Sequence, residues 1–131
     1  MNIASNGSDR MVWGMKKYSL LVIDNAPDNL RRLAQAVAVH MPECDTVGAA
    51  SAAEGLELAQ SRPFDGALID GQLPEMDGAA LCRRLKSQEA TRHLPVLLIA
   101  ARESASQWRS EGLDAGADGF LTRPIDDIEL I

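Results

Sequence analysis

At 131 residues the chain is expected to form one domain, long enough to bury roughly two-thirds of its unfolded surface. A hydrophobic content of 46% excludes a disordered chain, and a formal net charge of −6 argues against direct nucleic-acid binding. No apolar run nears the roughly 18 residues of a membrane span and the N-terminus lacks a signal-like core, so a cytoplasmic location and no membrane partner are expected.

Residues 1–17 are rich in Asn, Ser, Gly and Asp without apolar patterning and are expected to form a mobile tail, with the domain over 18–131. The continuous apolar run over 18–23 predicts a buried strand, and Pro27 then presets the backbone of a first helical turn. Leu30, Leu33, Val37 and Met41 recur at helical spacing, which predicts a helix to about His40 with one apolar face. His40 is read as a surface residue at that helix end rather than as a phosphodonor. Residues 44–49 predict a weaker strand. Ser51 with Glu54 three residues later makes a capping box for a helix to about Ser61, which Arg62-Pro63 ends.

Ala67-Leu68-Ile69 is a short buried strand that ends in a lone carboxylate, Asp70. A breaker-rich loop with Gly71 and Pro74 follows. Asp77 or Gly78 opens a third helix with Leu81, Cys82 and Leu85 toward the core, and Arg83, Arg84 and Lys86 on a solvated face. A fourth strand is expected over 95–99, a fourth helix carrying Trp108 over 104–115, and a fifth strand at Phe120 and Leu121 that Pro124 ends. Cys44 and Cys82 lack metal-ligand spacing and are read as buried free thiols of a reducing compartment. Strands alternating with helices predict an α/β fold, a doubly wound five-stranded parallel sheet covered on both faces.

Asp24 and Asp70 each end an apolar strand directly. An acid so placed is hard to satisfy except by a cation or a capped amide, so the two are expected to share a cation site at the carboxyl end of the sheet.

Four blocks carry a resemblance over about 18–131. They are Leu20-Leu21-Val22-Ile23-Asp24-Asn25-Ala26-Pro27-Asp28-Asn29-Leu30, then Asp70 with Leu73-Pro74-Glu75-Met76-Asp77-Gly78, then the strand over 95–101, and the segment 112–124 ending in Phe120-Leu121-Thr122-Arg123-Pro124. Together they resemble the response-regulator receiver domain of two-component signalling. The resemblance implies the flavodoxin-like strand order 2-1-3-4-5. It implies that Asp70 is the phosphoacceptor, taking a phosphoryl group from a sensor histidine kinase or phosphotransfer protein. It implies Mg2+ held by Asp24, Asp70, the backbone carbonyl of Gln72 and the residue at Asn25. The chain would then be a phosphoacceptor with at most weak self-phosphorylation and self-dephosphorylation, not an enzyme, with no organic cofactor.

Three positions depart from the family pattern. Asn25 stands where a second acid is usual, Ala100 where a switch hydroxyl is usual, and Arg123 where a lysine is usual. Asn25 keeps a carbonyl oxygen but loses a charge, so metal binding should weaken. Ala100 cannot donate to a phosphoryl oxygen, which removes on the order of 1.5–3 kcal/mol of bias toward an active state. Arg123 keeps the charge on a longer planar head. The family's aromatic switch falls on Phe120, which is expected to rest inward because Ala100 leaves its space open.

Two main readings follow: a receiver whose switching is weakened or altered, and a pseudo-receiver that acts as a phosphorylation-independent interaction or dimerisation module. A phosphatase would want a second acid where Gln72 stands, and a flavin site would want a phosphate-cradling loop where Asp24-Asn25 stands. Only 126–131 remain for a fifth helix, under two turns, so that helix is expected to be truncated and to leave part of the Leu30, Leu33, Val37 stripe uncovered. The chain is therefore expected to precede a C-terminal output domain in a longer protein and to self-associate as a homodimer.

Overall fold

The structure, a computed structural model, describes residues 18–101 and 105–123. The tail expected over 1–17 and the fifth helix expected over 125–131 lie outside the described residues. In chain order the elements are β1 Tyr18–Ile23, α1 Pro27–His40, β2 Cys44–Ala49, α2 Ala52–Ser61, β3 Gly66–Asp70, α3 Gly78–Lys86, β4 Val96–Ala101, α4 Ala105–Ala115 and β5 Gly119–Arg123. All strand pairs are parallel and the order is β2-β1-β3-β4-β5.

β1 and β3 are interior strands, and their unbroken apolar runs are what covering on both faces requires. Successive side chains alternate between two layers. Leu21 and Ile23 join Ala52 and Ala59 of α2, Leu81, Cys82 and Leu85 of α3, and Ala115 of α4. Val22 and Leu68 instead meet Leu33 of α1. The helices start where local chemistry starts them. Pro27 opens α1. Ser51 Oγ accepts the Glu54 N–H at 3.1 Å while Glu54 Oε1 accepts the Ala50 N–H at 2.9 Å. Asp77 Oδ1 accepts the Ala80 N–H at 2.7 Å and so caps α3.

The structure corrects three expectations. β4 runs to Ala101, two residues beyond the strand end expected at 99, because Ala100 and Ala101 pair with Thr122 and Arg123 of β5. Cys44 is half-buried, not buried; Cys82 is buried, its thiol pushed up in pKa by burial, and both thiols are free. Arg83 and Arg84 are exposed as expected, but Lys86 is not on a solvated face. Its Nζ donates to the Leu94 carbonyl at 2.7 Å and to Asp118 Oδ2 at 2.9 Å, and the same Oδ2 accepts the Val96 N–H at 2.8 Å. The end of α3 is thereby pinned to the starts of β4 and β5.

The bond from Lys86, and then that from Val96, hold the Asp118 carboxyl below its ordinary pKa. A lowered carboxyl pKa contributes stability above the unfolded value, and that stability is lost as pH falls through the folded value. Lys86→Met is expected to move Asp118 toward the ordinary carboxylate range, so the variant is less stable near neutral pH and loses less further stability as pH falls through the acid range. Asp118 is half exposed, at 50%, so the effect is modest. Urea midpoints measured from neutral pH downward check this. Curves of identical shape for the two proteins would refute it.

Candidate functional site

Ile23 pairs with Ile69 across β1 and β3, so the next residues, Asp24 and Asp70, reach the carboxyl edge of the sheet side by side on strands about 4.8 Å apart. Asp24 is fully buried. Its N–H donates to the Ala49 carbonyl at 3.0 Å, and its Oδ1 accepts the Ala26 N–H at 3.0 Å and the Asn29 side-chain amide at 3.4 Å. Asp70 is half-buried; its Oδ1 accepts the Gln72 N–H at 3.1 Å, and the Gly71 N–H donates to the Ile99 carbonyl at 2.8 Å. Both carboxylates are therefore aimed by short turns just past their own strands.

Asn25 is exposed at the mouth, directly after Asp24. Among the described residues no three His, Cys, Asp or Glu side chains form a metal-holding group. What this edge could offer a cation is oxygen: the two carboxylates, the Asn25 amide and the Gln72 backbone carbonyl. An all-oxygen set suits a hard cation such as Mg2+ rather than a transition metal, with less charge than three acids would bring.

The loop after Asp70 folds back on itself. Gln72 and Asp77 form a lone antiparallel bridge, and the Gly78 N–H donates to the Gly71 carbonyl at 2.9 Å. Leu73 is buried and Met76 packs against the core. A Cβ at Gly78 would lie 2.5 Å from the Asp70 carbonyl oxygen, so α3 begins in contact with the backbone of Asp70 itself. Glu75 reaches away from the loop, its Oε2 accepting the Ala52 N–H of α2 at 3.2 Å. Neither contact was visible in the sequence, where Gly78 reads only as a helix-opening breaker.

Ile99 pairs with Asp70, so Ala100 sits one residue further along at the same edge, 5% exposed. Arg123 ends β5 in register with Ala101. Phe120 is half-buried and packed against the main core cluster. Its ring lies under α4: a Cβ at Gly112 would come within 2.6 Å of Cε1. Sequence reasoning missed Gly112, which leaves the room the ring occupies. His40 is half-buried at the far end of α1, remote from the acid pair. A cavity of about 410 Å³ lined by Arg62, Phe64, Thr91, His93 and Leu94 lies at the opposite, amino edge of the sheet and includes none of the acid-site residues.

An α/β sheet in this order, with an acid at the carboxyl end of each of the neighbouring strands β1 and β3, defines a receiver-type module. The family model of the response regulator receiver domain matches residues 20–131, and the chain belongs to that family. It is 39% identical over 111 residues, 85% of its length, to the response regulator PleD of Caulobacter vibrioides, and spans 24% of that protein. The signal receiver domain of a signal transduction histidine kinase from Syntrophus aciditrophicus superposes with a TM-score of 0.77 at 29% identity, covering 87% of this chain and 84% of that one. The receiver domain of a sensor histidine kinase from Pseudomonas aeruginosa, with a magnesium ion in its active site cleft, has the same fold (TM-score 0.77, 23% identity, 86% and 90% coverage).

Proposed function

We propose that the chain is the phosphoacceptor of a two-component relay, with Asp70 receiving a phosphoryl group from a sensor histidine kinase or phosphotransfer protein. The observation that carries this reading is the placement of Asp24 and Asp70 at the carboxyl edge, each directly after the paired residues Ile23 and Ile69. An Asp70 carboxylate oxygen attacks phosphorus, forming an acyl phosphate. The bond from phosphorus to the donor imidazole nitrogen breaks, and its electron pair stays with the imidazole. Mg2+ held by Asp24, Asp70, the Gln72 carbonyl and the Asn25 amide would neutralise charge on the transferring group. Arg123, at the end of β5, is assigned to the phosphoryl oxygens.

Transmission is altered because Ala100, buried beside Asp70, brings no hydroxyl to those oxygens, while the Phe120 ring already rests under Gly112. A cytoplasmic location, an output domain elsewhere in the full protein and self-association belong to the same reading. Incubation with acetyl phosphate and Mg2+ followed by intact-mass measurement tests it, and one added phosphoryl group is expected. No gain would favour the module that acts without phosphorylation.

Asn25→Asp is expected to tighten Mg2+ binding. A unit charge at ~4 Å and an effective dielectric of ~20 contributes about 4 kcal/mol before desolvation, and exposure at residue 25 leaves about a tenfold gain. Calorimetry decides this; unchanged or weaker affinity would mean that residue 25 does not face the metal.

A further inference from the structure

We propose that Glu75 is a positioning residue of the site, tying the loop that carries Asp70 and Gln72 to the start of α2, just after the strand end on which the Asp24 N–H is held. The functional side of this inference rests on the metal and phosphoryl reading above; the structural side does not. The tie can be followed bond by bond. The Asp24 N–H donates to the Ala49 carbonyl at 3.0 Å, so the end of β1 hangs on the end of β2. Ala50 and Ser51 then turn into α2, held by the reciprocal Ser51 and Glu54 cap. Neither of those side chains takes the Ala52 N–H, which is the first amide of the helix. Glu75, from 23 residues further along the chain, takes it instead.

On the other side of Glu75 the loop is held by the Gln72 bridge to Asp77 and by the Gln72 N–H on Asp70 Oδ1. Glu75 is thus a side-chain link between the Asp70 loop and the start of α2, which follows the strand end that accepts the Asp24 N–H. A carboxylate is suited to the task, because the first amides of a helix carry the positive end of its dipole and charge-assisted bonds are the stronger kind. Met76 packs on the core immediately after it, so the residue next to the link is also anchored. The distance between the Asp24 and Gln72 ligands then depends on a contact that neither ligand makes. Contacts made directly to a metal ligand commonly change affinity tenfold or more when removed, and a contact one step further out is expected to do less.

The test uses Glu75→Ala and Glu75→Gln, the latter keeping an oxygen that can accept from Ala52. In metal-free protein, amide hydrogen exchange at Ala52 and Gln72 is expected to speed up about tenfold in E75A and to stay near wild type in E75Q. The Val96 N–H, held by Asp118 at the far edge, serves as the control and should not move. Mg2+ titration is expected to show affinity at least about fivefold weaker in E75A and within about twofold in E75Q. Unchanged exchange in E75A, equal acceleration of all three amides, or failure of E75Q to restore protection would each overturn the proposal. So would wild-type Mg2+ affinity in E75A. If the wild-type protein itself takes up no Mg2+, the metal reading fails, and the exchange results alone decide whether Glu75 positions the loop.

Discussion

Asp70→Asn is expected to abolish the phosphoryl gain from acetyl phosphate while leaving the fold intact. An amide oxygen is a poor nucleophile at phosphorus, yet it can still accept the Gln72 N–H that Asp70 Oδ1 accepts at 3.1 Å, so the turn keeps its shape. Among the described residues, the neighbouring carboxylates are engaged elsewhere. Asp24 is fully buried and its Oδ1 already accepts from Ala26 and Asn29. Asp77 caps α3, and Asp28 pairs with Arg31. The measurement is intact mass after incubation, with circular dichroism confirming the fold. A D70N protein that still gains one phosphoryl group would assign the acceptor elsewhere.

The largest effect on stability is expected at Gly78. An added Cβ would meet the Asp70 oxygen at 2.5 Å, the Gly71 Cα at 2.9 Å and the Asp70 carbonyl carbon at 3.1 Å, all of them backbone. Backbone cannot rotate away, so α3 or the Asp70 turn must move. Overpacking of this kind costs about 1–3 kcal/mol, with backbone shifts at the upper end, while Ala at a helix start returns at most ~1 kcal/mol. A net loss of about 2 kcal/mol corresponds to roughly 6–10 °C in Tm for a domain of this size. Gly112 is the informative comparison. Its Cβ would also collide, at 2.6–2.8 Å, but with the Phe120 ring and Leu98 Cδ1, which are side chains that can rotate. Gly112→Ala should therefore cost clearly less than Gly78→Ala. A thermal scan showing G78A within about 2 °C of wild type would refute the close contact.

The parts of this molecule legible from sequence are those whose cause is local. The apolar runs of β1 and β3 announce buried strands, the Ser51 and Glu54 pair announces the start of α2, and an acid directly after each run announces Asp24 and Asp70. What stayed hidden depends on partners far along the chain. Lys86 looks like one more cation on a basic helix face until Asp118, 32 residues later, is brought beside it by the pairing of β4 with β5. Glu75 looks like a loop acid until α2 presents its first amide. Gly78 and Gly112 look alike as small residues, and only the packing tells backbone contact at one from ring contact at the other. Helical and strand periodicity carries no information about such meetings.

The strand order has a bearing on how the chain is made. β2 docks on β1, β3 on the other side of β1, β4 on β3 and β5 on β4. Each strand from β2 onward therefore meets a neighbour that has already left the ribosome, and none must wait for a later one. Parallel pairing across a helix is slow because a long loop has to close first. Growth of the sheet in the order of synthesis lets each closure proceed while the next segment is still being added. By that schedule the Asp24 and Asp70 turns are in register once β3 has docked, before α3, β4 and β5 exist to cover them.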